Sequence, residues 1–211
     1  MNLSLAGFLL FALLAVEANA QPTDTGNVVI RFNPFGTIDF LDNNFTPGVE
    51  YKLNKRWSVG LDAGYVFTSN YIPESKRAGG VLLRPFVRVY PNSSLGLFLQ
   101  GELHYKRVRY SIEDFLGRAP VNGIPSYEEF TRFGYIKRVI GAQVRVGRQF
   151  YLTDDERLRL EFSIGLGVRF KKSYVKDGVY AINDFFGIRN VDAKQGLPAV
   201  PMAFHLTYQL K

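Results

Sequence analysis

Two histidines, His104 and His205, and a set of charged residues that recur on alternate positions are the parts of this chain best suited to chemistry. An imidazole works as a general base only when a nucleophile lies within hydrogen-bond reach. His104 is followed by Tyr105-Lys106 and His205 by Leu206-Thr207, so neither has a serine two positions on. No G-x-S-x-G, H-E-x-x-H or phosphate-loop pattern occurs. The chain has no cysteine, which removes thiol catalysis, cysteine-zinc sites and disulfide scaffolds. Catalysis is therefore not expected, nor a metal or a cofactor, and hydrogen bonding is the expected role of both imidazoles. The charged set is larger: Glu50, Asp62, Arg84, Arg88, Glu102, Lys106, Arg145, Arg159, Glu161 and Arg169.

The elements that must position these groups follow from periodicity. Leu158, Leu160, Phe162, Ile164, Leu166, Val168 and Phe170 alternate with Arg159, Glu161, Ser163, Gly165, Gly167 and Arg169. A period of two is the signature of a strand with two unlike faces. Trp57 to Phe67, Leu97 to Lys106 and Met202 to Leu210 repeat the pattern. Eight such segments are expected, near 27–37, 44–53, 57–67, 80–90, 95–110, 132–149, 158–171 and 199–210. Longer links at 68–79, 111–131 and 172–198 alternate with short ones, as in an up-and-down barrel. Pro34, Pro47 and Pro85 fall inside these segments and predict strand ends or bulges, since each removes a ladder donor.

Period alone leaves open which face is inside. A soluble carrier barrel would hold its apolar face within and take an apolar ligand; an outer-membrane barrel turns that face to lipid. Three features favour the second arrangement. The polar face is rich in Gly60, Gly64, Gly141, Gly147, Ser163, Gly165 and Gly167, the small residues a narrow lumen needs. Aromatic residues gather at strand ends, where interfacial girdles sit: Tyr51, Trp57, Tyr65, Phe67, Tyr105, Phe133, Tyr135, Phe170 and Tyr208. The apolar face also runs unbroken for about ten residues in several segments, enough to cross a bilayer with tilt. Before all this, Leu5 to Val16 is an apolar run followed by Ala18-Asn19-Ala20, the pattern of a cleaved leader. Residues 1–20 are thus expected to be a signal peptide and 21–211 a single exported domain.

Residues 21–211 resemble the small OmpA-like outer-membrane β-barrels of Gram-negative bacteria. The likeness is carried by Asn33-Pro34, Pro47-Gly48-Val49-Glu50-Tyr51, Trp57-Ser58-Val59-Gly60, Ile136 to Gly147 and Leu160 to Phe170. The resemblance implies an all-β, eight-stranded antiparallel up-and-down transmembrane β-barrel in the outer membrane, and a family most of whose members have no assigned activity.

In such a barrel the ten charged residues and both histidines would face the lumen. Enclosed charges must pair or stay hydrated, which predicts a side-chain plug; exchange of Arg and Glu partners in a narrow gated pore is the alternative. A lipid-modifying enzyme is a further alternative, for which the histidines lack a partner nucleophile. Loops 111–131 and 172–198 carry Phe115, Tyr127, Phe130, Tyr180, Phe185 and Phe186, and could meet an extracellular partner or simply extend the hairpins. The net charge of +7 is spread over strand ends and turns. That suits outer-membrane lipid, lipopolysaccharide phosphates included, better than nucleic acid.

Overall fold

The computed structural model describes residues 28–38, 42–72, 75–91, 96–122, 124–175, 181–184, 187–190 and 195–210. The leader expected over residues 1–20 lies outside them. The strands are β1 (Val28–Phe32), β2 (Asp42–Phe45), β3 (Pro47–Lys52), β4 (Trp57–Ser69), β5 (Ser75–Val89) and β6 (Leu97–Arg118). They continue with β7 (Tyr127–Tyr151), β8 (Leu158–Val175), β9 (Ala181–Asp184), β10 (Gly187–Asn190), β11 (Gln195–Ala199) and β12 (Met202–Gln209).

β1, β3, β4, β5, β6, β7, β8 and β12 form one closed ring of eight antiparallel strands, in which β12 returns to pair with β1. Neighbours in the chain are neighbours in the ring. β2 continues the β3 pass along β4, and β11 continues the β12 pass along β8. The fold is therefore all-β, and among the described residues no helix is long and apolar enough to cross a membrane.

Local chemistry sets the ends. Asn54 turns the chain between β3 and β4 by accepting the Arg56 and Trp57 amides at 2.8 and 2.9 Å. Between β7 and β8, the Thr153 hydroxyl donates to the Asp155 carboxylate at 2.6 Å, which holds that carboxyl below its ordinary range. Pro34 opens a 3-10 helix (Pro34–Ile38) and Pro47 opens β3. Pro85 stays inside β5, where the β5–β6 ladder has a gap at Arg84 and Pro85 without a change of register.

The three long links are shorter than their sequence suggests, because the strands run on into them. β4 extends to Ser69 and β5 starts at Ser75; β6 and β7 pair continuously from Leu97↔Arg148 to Arg118↔Tyr127. Phe115 and Phe130 face each other across that hairpin, with ring centroids 5.2 Å apart. In 172–198, β8 continues to Val175, and β9 and β10 form a small separate hairpin. Tyr180, Phe185 and Phe186 lie outside the described residues.

What hides the extensions in the sequence is a change of phase. Along β6, Leu97, Leu99 and Leu103 face outward, whereas Val108, Tyr110, Ile112 and Leu116 face inward and are buried. Along β7, Ile140, Val144 and Val146 face outward, whereas Phe133 and Tyr135 face inward. The apolar side of the sheet thus switches from outside to inside within a few residues of Tyr105 and Ile140. Above the switch, Val66, Tyr71, Ile72, Val108, Tyr110, Ile112, Leu116, Phe133 and Tyr135 form an apolar core that fills the mouth of the ring.

Candidate functional site

Below that core the ring is filled by polar side chains from every wall. The small residues of the inner face make room for them. A Cβ on Gly60 would lie 2.6 Å from the Val49 carbonyl oxygen, and one on Gly147 equally close to that of Phe162. The interior has three tiers.

The tier nearest the short turns centres on Arg88, which is fully buried. Its Nη1 donates to Glu50 at 3.0 Å, to Glu161 at 2.9 Å and to the Tyr90 hydroxyl at 3.0 Å. Nη2 donates to Glu161 at 3.0 Å and to Gln100 at 2.7 Å, and Nε reaches the same Gln100 oxygen at 3.0 Å. The guanidinium lies 3.9 Å from the centroid of Phe98. All its donor nitrogens are used, so this cation is locked. Glu50 also accepts Ser58 and Tyr90 at 2.7 Å each, and Glu161 accepts Gln149 at 2.6 Å. Arg31 lies between Glu50 at 3.4 Å and Asp62 at 3.5 Å, with its guanidinium over Phe86. His205 Nε2 is 3.6 Å from Asp62.

The middle tier is built on Glu102. It accepts Gln143 at 2.6 Å, Gln100 at 2.8 Å and Arg145, and lies 3.9 Å from Arg84. Arg169 donates to Gln143 at 3.3 Å. His104 Nδ1 is buried without a hydrogen-bond partner. The outer tier is built on Asp42, which pairs with Lys106 and, at 3.2 Å, with Lys137. The Lys137 ammonium lies 3.6 Å from the centroid of Tyr71, whose hydroxyl accepts Lys171.

The charged residues picked out from sequence therefore meet inside the ring, but in separate tiers. Glu50, Asp62, Arg88, Glu161 and His205 share one; Arg84, Glu102, His104, Arg145 and Arg169 share the next; Lys106 belongs to the third. Arg159 faces inward yet joins none of them: it donates to the Glu156 carbonyl at 2.7 Å and to Gln209 at the rim. Sequence reasoning missed Arg31, Asp42, Lys137, Lys171, Tyr90, Gln100, Gln143 and Gln149. Parity was the signal for most of them: Lys137, Gln143 and Gln149 share that of Arg145, Gln100 that of Glu102, Tyr90 that of Arg88 and Lys171 that of Arg169.

The outer surface supplies the other half of the site. Tyr51, Trp57, Tyr65, Phe67, Phe170 and Tyr208 are exposed on it, and Tyr105 partly so. Phe133 and Tyr135 are not interfacial aromatics. Both are buried in the inner apolar core, because they lie beyond the point where the apolar face turns inward. Between the two ends runs an apolar belt whose rows include Leu103↔Ala142↔Val168 and Gly101↔Val144↔Leu166. From Tyr105 to Leu97 it measures on the order of 20 Å along the axis of a tilted ring.

His205 Nε2 faces the Asp62 carboxylate at 3.6 Å, and among the described residues the buried His104 Nδ1 has no hydrogen-bond partner. Residues 8–209 match the family described as Protein of unknown function (DUF3575). No curated protein and no solved structure matches the chain.

Proposed function

We propose that this chain, which belongs to the DUF3575 family, spans the outer membrane as an eight-stranded β-barrel of the small OmpA-like kind. On this reading residues 1–20 are removed on export and both ends of the barrel chain face the periplasm. The lumen is closed by its ion-pair tiers and its apolar mouth. The role is structural, or one of surface interaction through the outer hairpins.

The observation that carries the reading is the inverted burial of the belt. Leu166 is 73% exposed and Val144 54%, while Arg31, Glu50 and Glu161 inside the ring are each 1% exposed. In water, such a continuous apolar band would be far larger than the few hundred Å² a soluble surface tolerates. Against lipid it is the favourable arrangement, and the closed ring leaves no unpaired sheet edge in the hydrocarbon. The return to an ordinary apolar interior above Tyr105 supports the same boundary, since the hairpins there would again meet water.

The tiers also weigh against the alternatives. A carrier for an apolar ligand needs an apolar interior, and this one holds charges. A pore needs a continuous water path, and the saturated Arg88 bridges β3, β6 and β8 across the ring. A lipid-modifying enzyme needs a nucleophile beside His104 or His205.

The test is electrophoretic mobility of the outer-membrane fraction with and without boiling. A barrel paired around its whole circumference resists detergent until heated, so unboiled protein is expected to migrate faster. Recovery of the chain as soluble periplasmic protein with no shift would overturn the proposal. In planar bilayers the intact protein is expected to show no conductance steps.

A further inference from the structure

We infer that the outward face of β6, β7 and β8 holds a binding site for the phosphates of lipopolysaccharide, formed by Arg107, Arg109, Arg138 and Lys172. The inference rests on the barrel reading above and names the lipid that the outer edge of the belt would take. Its basis is register. Arg107 pairs directly with Arg138, and Arg138 directly with Lys172, so three cations stand in one row across three adjacent strands. All three share the outward parity of the belt: Arg138 and Lys172 are exposed, and Arg107 is half-buried.

Like charges directly opposite on neighbouring strands repel. Among the described residues, no carboxylate lies within ion-pairing distance of Arg107, Arg109, Arg138 or Lys172. Glu113, the next outward acid on β6, is opposite Arg132 and 3.4 Å from it. The Arg107 Nε is buried without a partner. Arg138 is aimed rather than loose: it donates to the Tyr174 hydroxyl at 3.1 Å, with its guanidinium 5.4 Å from that ring's centroid. Arg109 stands two positions beyond Arg107 on the same face and adds a fourth charge.

The position of the row identifies the occupant. Two residues towards the short turns, on each of the same three strands, stand Tyr105, Ile140 and Phe170, themselves one paired row and the outer edge of the apolar belt. The row thus begins where the belt ends, at the height where acyl chains give way to headgroups. Adjacent strands lie about 4.8 Å apart, so the three cations span roughly 10 Å. A headgroup with two phosphates can meet two or three of them together, by charge-assisted hydrogen bonds. A zwitterionic phospholipid brings one phosphate and a cation of its own. The long hairpins leave the ring at this same end, which puts the row in the outward leaflet.

The test uses the full chain, purified in neutral detergent, and its affinity for fluorescent lipopolysaccharide. Each Lys or Arg near an anionic surface contributes about a fivefold factor, so the triple variant R107Q/R138Q/K172Q is expected to bind roughly tenfold to a hundredfold more weakly. Its heat-dependent mobility shift should persist, since all three side chains point away from the lumen. R148Q, which removes an outward cation at the opposite end of the belt, should bind as the intact chain does. Dephosphorylated lipopolysaccharide and phosphatidylethanolamine should compete poorly. A triple variant that keeps its shift and binds within twofold of the intact chain would overturn the inference alone. An equal loss in R148Q, or equal competition by phosphatidylethanolamine, would do the same by reducing the effect to bulk charge or bulk lipid. An intact chain with no mobility shift would overturn the barrel reading and the inference with it.

Discussion

Replacing Arg88 by methionine is expected to destabilise the folded chain by about 3–5 kcal/mol, the cost of stranding a buried charge without its partner. Arg88 joins Glu50 and Glu161 with three hydrogen bonds and also holds Gln100 and Tyr90. Methionine keeps an unbranched apolar stem in place of arginine's, beside the Phe86 and Phe98 rings that the guanidinium now faces, so the loss reports charge more than a cavity. Among the described residues, Arg31 would then be the one cation left within ion-pairing distance of both carboxylates, 3.4 Å from Glu50 and 3.8 Å from Glu161. Urea unfolding from vesicles measures the difference. Adding Glu161→Gln to Arg88→Met should recover part of the loss, because it neutralises one of the stranded carboxylates. A non-additive pair is the mark of a direct contact. If Arg88→Met fell within about 0.5 kcal/mol of the intact chain, as ordinary surface changes do, the tier would have to be hydrated and open rather than a plug.

The second large effect belongs to the outside of the ring. Leu166→Arg, at the middle of the belt, is expected to cost about 2–4 kcal/mol of stability in vesicles, the depth-dependent penalty for a cation facing lipid. Ile124→Arg, at the tip of the β6–β7 hairpin, should change stability by no more than about 0.5 kcal/mol. The two side chains are almost equally exposed, 73% and 71%, so exposure alone predicts equal outcomes. Only a belt in hydrocarbon separates them. A neutral Leu166→Arg would mean that this surface meets water.

Most of this architecture is legible in single segments of sequence. Leu158 to Phe170 places both faces of β8 by alternation alone, and Glu161 on the inner face is one end of the Arg88 tier. Strand number and the short turns follow equally well, because Asn54 and the Thr153–Arg157 stretch carry recognisable turn chemistry. What was not legible has two causes. Phe133 and Tyr135 obey the same alternation as Ile140 and Val144, but with opposite parity. A period of two carries no information about where the surrounding medium changes, so aromatic residues of the mouth read as girdle. The second cause is strand length. Arg31 sits in a five-residue strand, too short for its alternation with Ile30 and Phe32 to stand out, although it anchors Glu50 and Asp62. Gln100 and Tyr90 are uncharged and gain their importance only from Arg88: Tyr90 stands two positions further along the chain, and Gln100 is paired with Arg88 across the β5–β6 ladder. Asp42 lies in the irregular pass before β3, where no pattern marks it as the partner of Lys106 and Lys137.

The inner tiers and the outer belt depend on each other through a single claim, that the belt faces lipid. The absence of cysteine from the chain makes that claim directly measurable with single cysteines placed along β7 in intact outer membranes. A membrane-impermeant, water-soluble maleimide should label cysteines at Arg132 and Gly134, beyond the belt. Cysteines at Ile140, Ala142, Val144 and Val146 should stay unlabelled until the protein is unfolded in hot detergent. Rapid labelling at Ala142 and Val144, at the rate seen for Arg132, would place that face in water and contradict the account.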